Sequence, residues 1–226
     1  MRLRVLSYNI RSLRDDGAAV IRVIRDAAPD VVCVQEAPRF FRSVAKGVEL
    51  ARRTGLVTAV GGRACGANLL LVRLAVDVVG TRRVPFSLRR GLHLRGAAVA
   101  SCRLRGVPFT VAGTHLDLVP GERLRHLPEL WAAVDGLPGP LVLGGDMNET
   151  PEGPFWAGLT DRLVDAYAAA GDGDGLTYSA TVPRTRIDGI FVDPAVTVVC
   201  CEALDTPDVR VASDHRPVLA ELELPE

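Results

Sequence analysis

Lysine is almost missing from this chain. Lys46 is the only one, and arginine supplies the rest of the positive charge. Acids and bases balance at 27 each, which excludes a broadly basic coat for nucleic acid. Aromatic residues make up only 5%, so an extended base-stacking platform is not supported. The five cysteines are odd in number and form neither a CxxC nor a Cys/His zinc pattern, which argues against a disulfide framework. Cys33 and Cys102 sit in strand-like runs and read as small core residues. No apolar segment is long enough to span a bilayer. The N-terminal string MRLRVLSYNIR has no continuous apolar stretch or cleavage site, so a cytoplasmic protein is expected. Repeats, low-complexity tracts and linkers are also lacking. The expectation is one domain over residues 1–226, acting as a monomer without membrane insertion.

What is present is a chain of 226 residues, 48% hydrophobic, enough for a large core. Leu3–Tyr8 reads as a short strand and Asp15–Ala28 as a helix, with Val20, Val23, Ile24 and Ala27 on one face. Asp30–Gln35 is a near-continuous apolar run, the mark of a strand buried on both faces. A second helix is expected from about Pro38 to Arg53, anchored by Phe40, Phe41, Val44 and Leu50. Strands follow at Leu56–Val60, Ala67–Val72, Val76–Arg83, Ala97–Leu104 and Phe109–Gly113, the last two joined by a turn at Gly106–Pro108. Gly121–Val134 reads as a helix that Pro128 kinks or splits. Leu141–Gly144 is a buried strand, and a short helix is expected around Asp161–Ala170. Arg186–Val192, Val196–Cys201 and Pro217–Leu222 close the chain as strands. The pattern is mixed α/β, with two sheets rather than one.

The string LVLGGDMNET at Leu141–Thr150 raises the question of function. A buried strand ends in two glycines and then presents Asp146 and Asn148, which point to the same side of an extended chain. Gly144 and Gly145 leave room for a close approach to the backbone, which suits a site for a polar, anionic ligand. Other strands end in the same way. Asn9 follows the first, Gln35 and Glu36 the second, and His115 and Asp117 the Phe109–Gly113 run. Asp188 lies within RIDGIF, and Asp214 and His215 precede the last strand. Ligand sites in α/β folds gather beyond strand ends. Carboxylate and amide oxygens without cysteine favour Mg²⁺ or Mn²⁺. Such a cation, a carboxylate to deprotonate water and histidines to hold phosphoryl oxygens would make a phosphoester-hydrolysing site. Each residue also has a structural alternative: Asn9 ending a strand, Glu36 beginning a helix, His115 in the core, Asp214 capping a turn. For His93 and His126 the structural alternative is preferred. Asp165 reads as a helix cap or internal hydrogen-bond partner, and Gly171–Gly175 (GDGDG) as a flexible turn.

The ordered set SYNI (Ser7–Ile10), VQE (Val34–Glu36), THLD (Thr114–Asp117), GGDMN (Gly144–Asn148), TY with RIDGIF (Thr177–Tyr178, Arg186–Phe191) and SDHRPV (Ser213–Val218) resembles the endonuclease/exonuclease/phosphatase superfamily, the deoxyribonuclease I-like fold. The resemblance implies a four-layer α/β sandwich, with two packed, mixed but mainly antiparallel β-sheets flanked by helices. It implies Mg²⁺-dependent hydrolysis of a phosphoester, with Mn²⁺ as a possible substitute. By motif, Glu36 is the principal metal ligand, with Asn9 and Asp214 near metal and phosphate. Asp146 orients or deprotonates the attacking water, Asn148 helps hold the phosphate, His215 contacts it, and Asp188 fixes His215. His115 matches the histidine of the deoxyribonuclease I-like branch. Asn68, Arg95 and Arg186 are expected at the substrate. Arg11 and Gly189 depart from the pattern of abasic-site enzymes and count against that activity. Between Val78 and Leu116 stand seven arginines and no acid, a ridge that would attract a polyanion such as DNA or RNA, or serve only as solvated strand faces. A phosphodiester or nucleic acid is the first expectation for the substrate, a phosphomonoester or phospholipid head group the second, and a binding protein without catalysis the third.

Overall fold

The computed structural model describes residues 1–39 and 42–225. In chain order it runs β1 (Arg2–Asn9), α1 (Gly17–Ala27), β2 (Val31–Gln35), α2 (Ser43–Thr54), β3 (Val57–Gly62), β4 (Asn68–Val72), β5 (Val76–Pro85), β6 (Gly96–Leu104) and β7 (Val107–His115). It continues with α3 (Pro120–Val134), β8 (Leu141–Asp146), α4 (Pro154–Thr160), β9 (Val164–Asp165), α5 (Ala166–Ala170), β10 (Gly171–Asp172), β11 (Asp188–Val192), β12 (Thr197–Ala203), α6 (Pro207–Ala212) and β13 (Val218–Glu223). The strands form a seven-stranded sheet in the order β10-β12-β13-β1-β2-β4-β3 and a six-stranded sheet in the order β5-β6-β7-β8-β11-β9. Both are mixed, because β1 pairs parallel with β2 and β7 parallel with β8 while most other pairs are antiparallel.

Side-chain alternation builds the layers. In β1, Leu3 and Val5 enter the core between the sheets, and Leu6 and Tyr8 pack outward with α1. In β2, Val31 and Cys33 face inward and Val32 and Val34 outward. The six-stranded sheet repeats the scheme: Ala98, Ala100, Val111 and Val142 face the other sheet, while Val99, Ala112 and Leu143 meet Leu130 of α3 and Trp156 of α4. The order is helices, sheet, sheet, helices, so the four-layer sandwich is present. Gly144 is required by that packing. A Cβ there would stand 3.0 Å from the Cys33 Sγ of the opposite sheet, and one at Gly145 would stand 2.5 Å from the Thr114 carbonyl oxygen. What approaches these glycines is neighbouring protein, not the ligand that the sequence suggested.

Several elements differ from expectation. The helix α3 runs through Pro128 unbroken, with Leu130, Ala133 and Val134 still buried beyond it. The sequence led us to expect one helix near 161–170. Two are found, because Glu149 caps α4 by accepting from the Phe155 and Trp156 amides, and Asp165 caps α5 by accepting from Tyr167 and Ala168. The helix α6, capped by the Thr206 hydroxyl, was not foreseen. The second helix begins at Ser43, and its expected anchors Phe40 and Phe41 lie outside the described residues. Among the described residues no helix is long and apolar enough to cross a membrane.

Candidate active site

The inward-facing alternation does not stop where the apolar core ends. Asn9 continues the face of Leu3 and Val5, His115 that of Phe109 and Val111, and Asp146 that of Val142. Asp188 starts β11 opposite Asp146, on the face of Ile190 and Val192. At one end of the sandwich the core therefore changes from aliphatic to polar. A cavity of about 330 Å³ opens there, lined by Glu36, Arg95, His115, Asp146, Asn148, Asp214 and His215 among others.

Asp146 is the centre of the arrangement. It is buried, and its Oδ2 accepts from Asn9 Nδ2 at 3.0 Å. The same oxygen lies 3.3 Å from His115 Nε2 and 3.7 Å from His215 Nε2. Its Oδ1 accepts from the Asn148 amide at 2.9 Å. Asn148 sits in the left-handed region (φ 49°), which brings its side chain back to donate to His115 Nε2 at 3.0 Å and to the Leu116 carbonyl at 2.9 Å. A donor on Nε2 leaves the ring proton of His115 on Nδ1.

The two histidines have opposite electrostatics. Burial pushes His115 down to about 3, and the charges of Arg95, His215 and Arg39 add to that against the pull of Asp146. Burial also disfavours the charge on His215, but Asp188, Asp146 and Asp214 together outweigh it and raise that ring to about 10. His215 Nδ1 donates to Asp188 Oδ2 at 2.9 Å, which fixes the ring, and the Tyr178 ring packs on it with centroids 4.9 Å apart. Asp188 is held in turn: its amide donates to Thr177 Oγ1, and its Oδ1 is buried without a partner.

For a cation, the donor set is oxygen-rich. The Glu36 carboxylate lines the cavity and takes no hydrogen bond or ion pair among the described residues. Its backbone is held at φ 51°, unusual outside glycine, by the Ser12 amide donating to its carbonyl. A half-buried carboxylate kept unengaged by a strained backbone fits a hard divalent ion. Asp214 is engaged by Arg11, whose Nε stands 3.3 Å from its Oδ2, and Asn9 Oδ1 accepts from the Arg11 amide. Ligand atoms of Asp146, Asp188 and His215 also lie within 4.8 Å of one another, close enough to share an ion, although the His215–Asp188 hydrogen bond already uses two of them.

Two expected substrate residues are elsewhere. Asn68 is fully buried and ties the sheets together, donating to the Cys65 and Gly96 carbonyls. Arg186 pairs with Asp165 at 2.9 Å and lies between the Trp156 and Tyr167 rings, so its charge is spent on structure. Asp165 is the cap and internal partner that its position suggested, also accepting from Trp156 Nε1. Arg95 does line the cavity. His126 stacks on Phe86 in the core, as preferred, whereas His93 lines the cavity against the structural preference given above. The rest of the arginine ridge spreads over one edge: Arg82 donates to the Ala133 carbonyl, Arg83 to that of Gly61, and Arg89 pairs with Glu122. Tyr178, Leu118 and Arg39 also line the cavity, beyond the residues that the sequence points to as its functional groups. Only Tyr178 carried a signal, as part of the TY string.

The model of the Endonuclease/Exonuclease/phosphatase family matches residues 6–215. The chain belongs to that family. Its members hydrolyse phosphoesters, and the buried acid and histidine cluster is what such an enzyme requires. A search of curated protein sequences gave no match. Among solved structures, the endonuclease/exonuclease/phosphatase from Bacteroides vulgatus is 23% identical with a TM-score of 0.81, covering 100% of both chains. A mannosyl-6-phosphatase from Bacteroides thetaiotaomicron is 19% identical with a TM-score of 0.80, over 98% of this chain and 100% of that one. D. rerio TDP2 in complex with a single-strand DNA product is 18% identical with a TM-score of 0.74, over 98% and 99%. At these identities the likeness speaks for the fold.

Proposed function

We propose that this enzyme is a Mg²⁺-dependent phosphoester hydrolase acting on a phosphodiester, either in nucleic acid or in a smaller molecule. The observation that carries the reading is one buried carboxylate, Asp146, whose Oδ2 lies 3.3 Å from His115 Nε2 and 3.7 Å from His215 Nε2, in a cavity that the unengaged Glu36 also lines. Glu36 would hold the cation, with Asn9 and Asp214 beside it, and the ion would supply charge stabilisation for the phosphoryl oxygens.

The other roles follow from protonation state. Asp146, held by Asn9 and the Asn148 amide, orients the attacking water and takes its proton. His215, kept cationic by Asp188, donates from Nε2 to a non-bridging oxygen. Neutral His115 lies on the other side of the phosphate, its ring fixed by the Asn148 side-chain amide. The small cavity also suits the second reading, a phosphomonoester. A panel of mono- and diesters assayed with Mg²⁺ and Mn²⁺, with His215→Ala as control, tests both. Diester turnover lost in the control supports the first reading, turnover of monoesters alone supports the second, and none with either metal contradicts both. Glu36→Gln should sharply weaken the metal dependence, and an unchanged metal titration would mean the cation is misplaced.

A further inference from the structure

The cavity is a trench across several strands, not a point. His215 precedes β13 of the seven-stranded sheet and bonds Asp188 at the start of β11 in the six-stranded one. Asp146 and His115 follow along β8 and β7, and beyond them the next strand of the same sheet is β6. There Arg95, directly before β6, and His93, in the loop leading to it, line the same trench with Gly66 and Ala67 from the turn before β4. The proposed reaction occupies the Asp146–His215 half and leaves the other end without an assigned ligand.

That end holds an unusual group. The Arg95 side chain is only 8% exposed and makes no hydrogen bond among the described residues. Its Nε is buried without a partner, and the nearest carboxylate oxygen, on Asp117, is 3.8 Å away. A buried guanidinium with unmet donors is costly, and a phosphate meets its forked geometry with two oxygens. Arg39 lines the same cavity, so two cationic side chains face it. His93 is exposed at its mouth, with a ring nitrogen free to donate to an oxyanion.

We propose that Arg95, His93 and Arg39 form a subsite for a second phosphate group of the substrate. It stands one to two strand spacings, roughly 5–10 Å, from the reacting phosphorus. This rests on the phosphoester reading above and narrows it. The substrate is a molecule carrying at least two phosphates in succession, either a short nucleic-acid strand or a small bisphosphate, rather than an isolated ester.

The test measures binding without turnover, so that it stands apart from the activity assay. His215→Ala protein with Mg²⁺ is titrated calorimetrically with a thymidine dinucleotide and with its 5′- and 3′-phosphorylated forms. It is also titrated with alkanediol bisphosphates of increasing chain length against the matched alkyl monophosphates. The added phosphate should tighten binding about tenfold in at least one carrier. Either carrier gaining this supports the subsite, and the tighter one names the source. Introducing Arg95→Met or His93→Ala should bring the ratio between doubly and singly phosphorylated ligands towards one. If Arg95→Met does not fold, judged by its melting curve, His93→Ala on the exposed loop gives the answer. No gain from the second phosphate, or a gain that survives both substitutions, would overturn the proposal. Absence of turnover by the wild-type enzyme on any phosphoester would instead count against the function proposed above, while the binding ratios would still read the subsite.

Discussion

His115 and His215 approach the same oxygen of Asp146 from two sides, yet one is neutral and the other charged. The difference lies in their second contacts. His215 has Asp188 on its other nitrogen and Asp214 next in the chain, and these carboxylates hold the proton against the cost of burial. His115 is driven neutral first by burial, and Arg95, His215 and Arg39 add to that against the pull of Asp146, so it gives the proton up. Chemistry at this site is therefore set by the neighbours of each residue as much as by its type.

The largest expected break in that comparison is His215→Ala. Removing the charged donor should lower kcat by about 10³-fold, checked by steady-state turnover with a melting curve to show the fold intact. Asp188→Asn should follow, at about 10²-fold. Its pH profile is sharper still. With its proton held up to about 10, His215 stays in the donating form at neutral pH, and activity falls as pH rises through that value. Without the carboxylate, burial dominates, and the alkaline limb should move to lower pH. A limb that stays in place would show that Asp188 does not hold the proton. His115→Gln should cost less, about tenfold, and leave the alkaline limb where it was, because the neutral ring has no proton to lose there. The smallest effect on activity is expected from Arg186→Met. It should lower stability by about 2 kcal/mol through the unpaired, buried Asp165 and leave KM unchanged.

Much of this was legible from the sequence because it is carried by alternation. Strands announce themselves by period two, and Asn9, His115 and Asp146 lie four residues beyond Val5, Val111 and Val142 on the same inward face. Their convergence could be read from strand ends and from motif order. Side chains whose partners lie far along the chain could not. Arg186 stands within a motif, but its charge is claimed by Asp165 and two aromatic rings. Asn68 borders the trench in sequence pattern, yet its amide joins backbones of both sheets. His93 comes from a loop whose path no periodicity encodes. The α4 helix was hidden because its cap, Glu149, is several residues before it and is itself positioned by Arg123 at 2.8 Å.

The most direct measurement is a ¹⁵N NMR titration of the histidine side chains in the metal-free enzyme, assigned with His115→Gln and His215→Ala. The account predicts an imidazolium at His215 and a neutral ring protonated at Nδ1 at His115 throughout the neutral range. Two rings titrating together near the ordinary histidine value would contradict it.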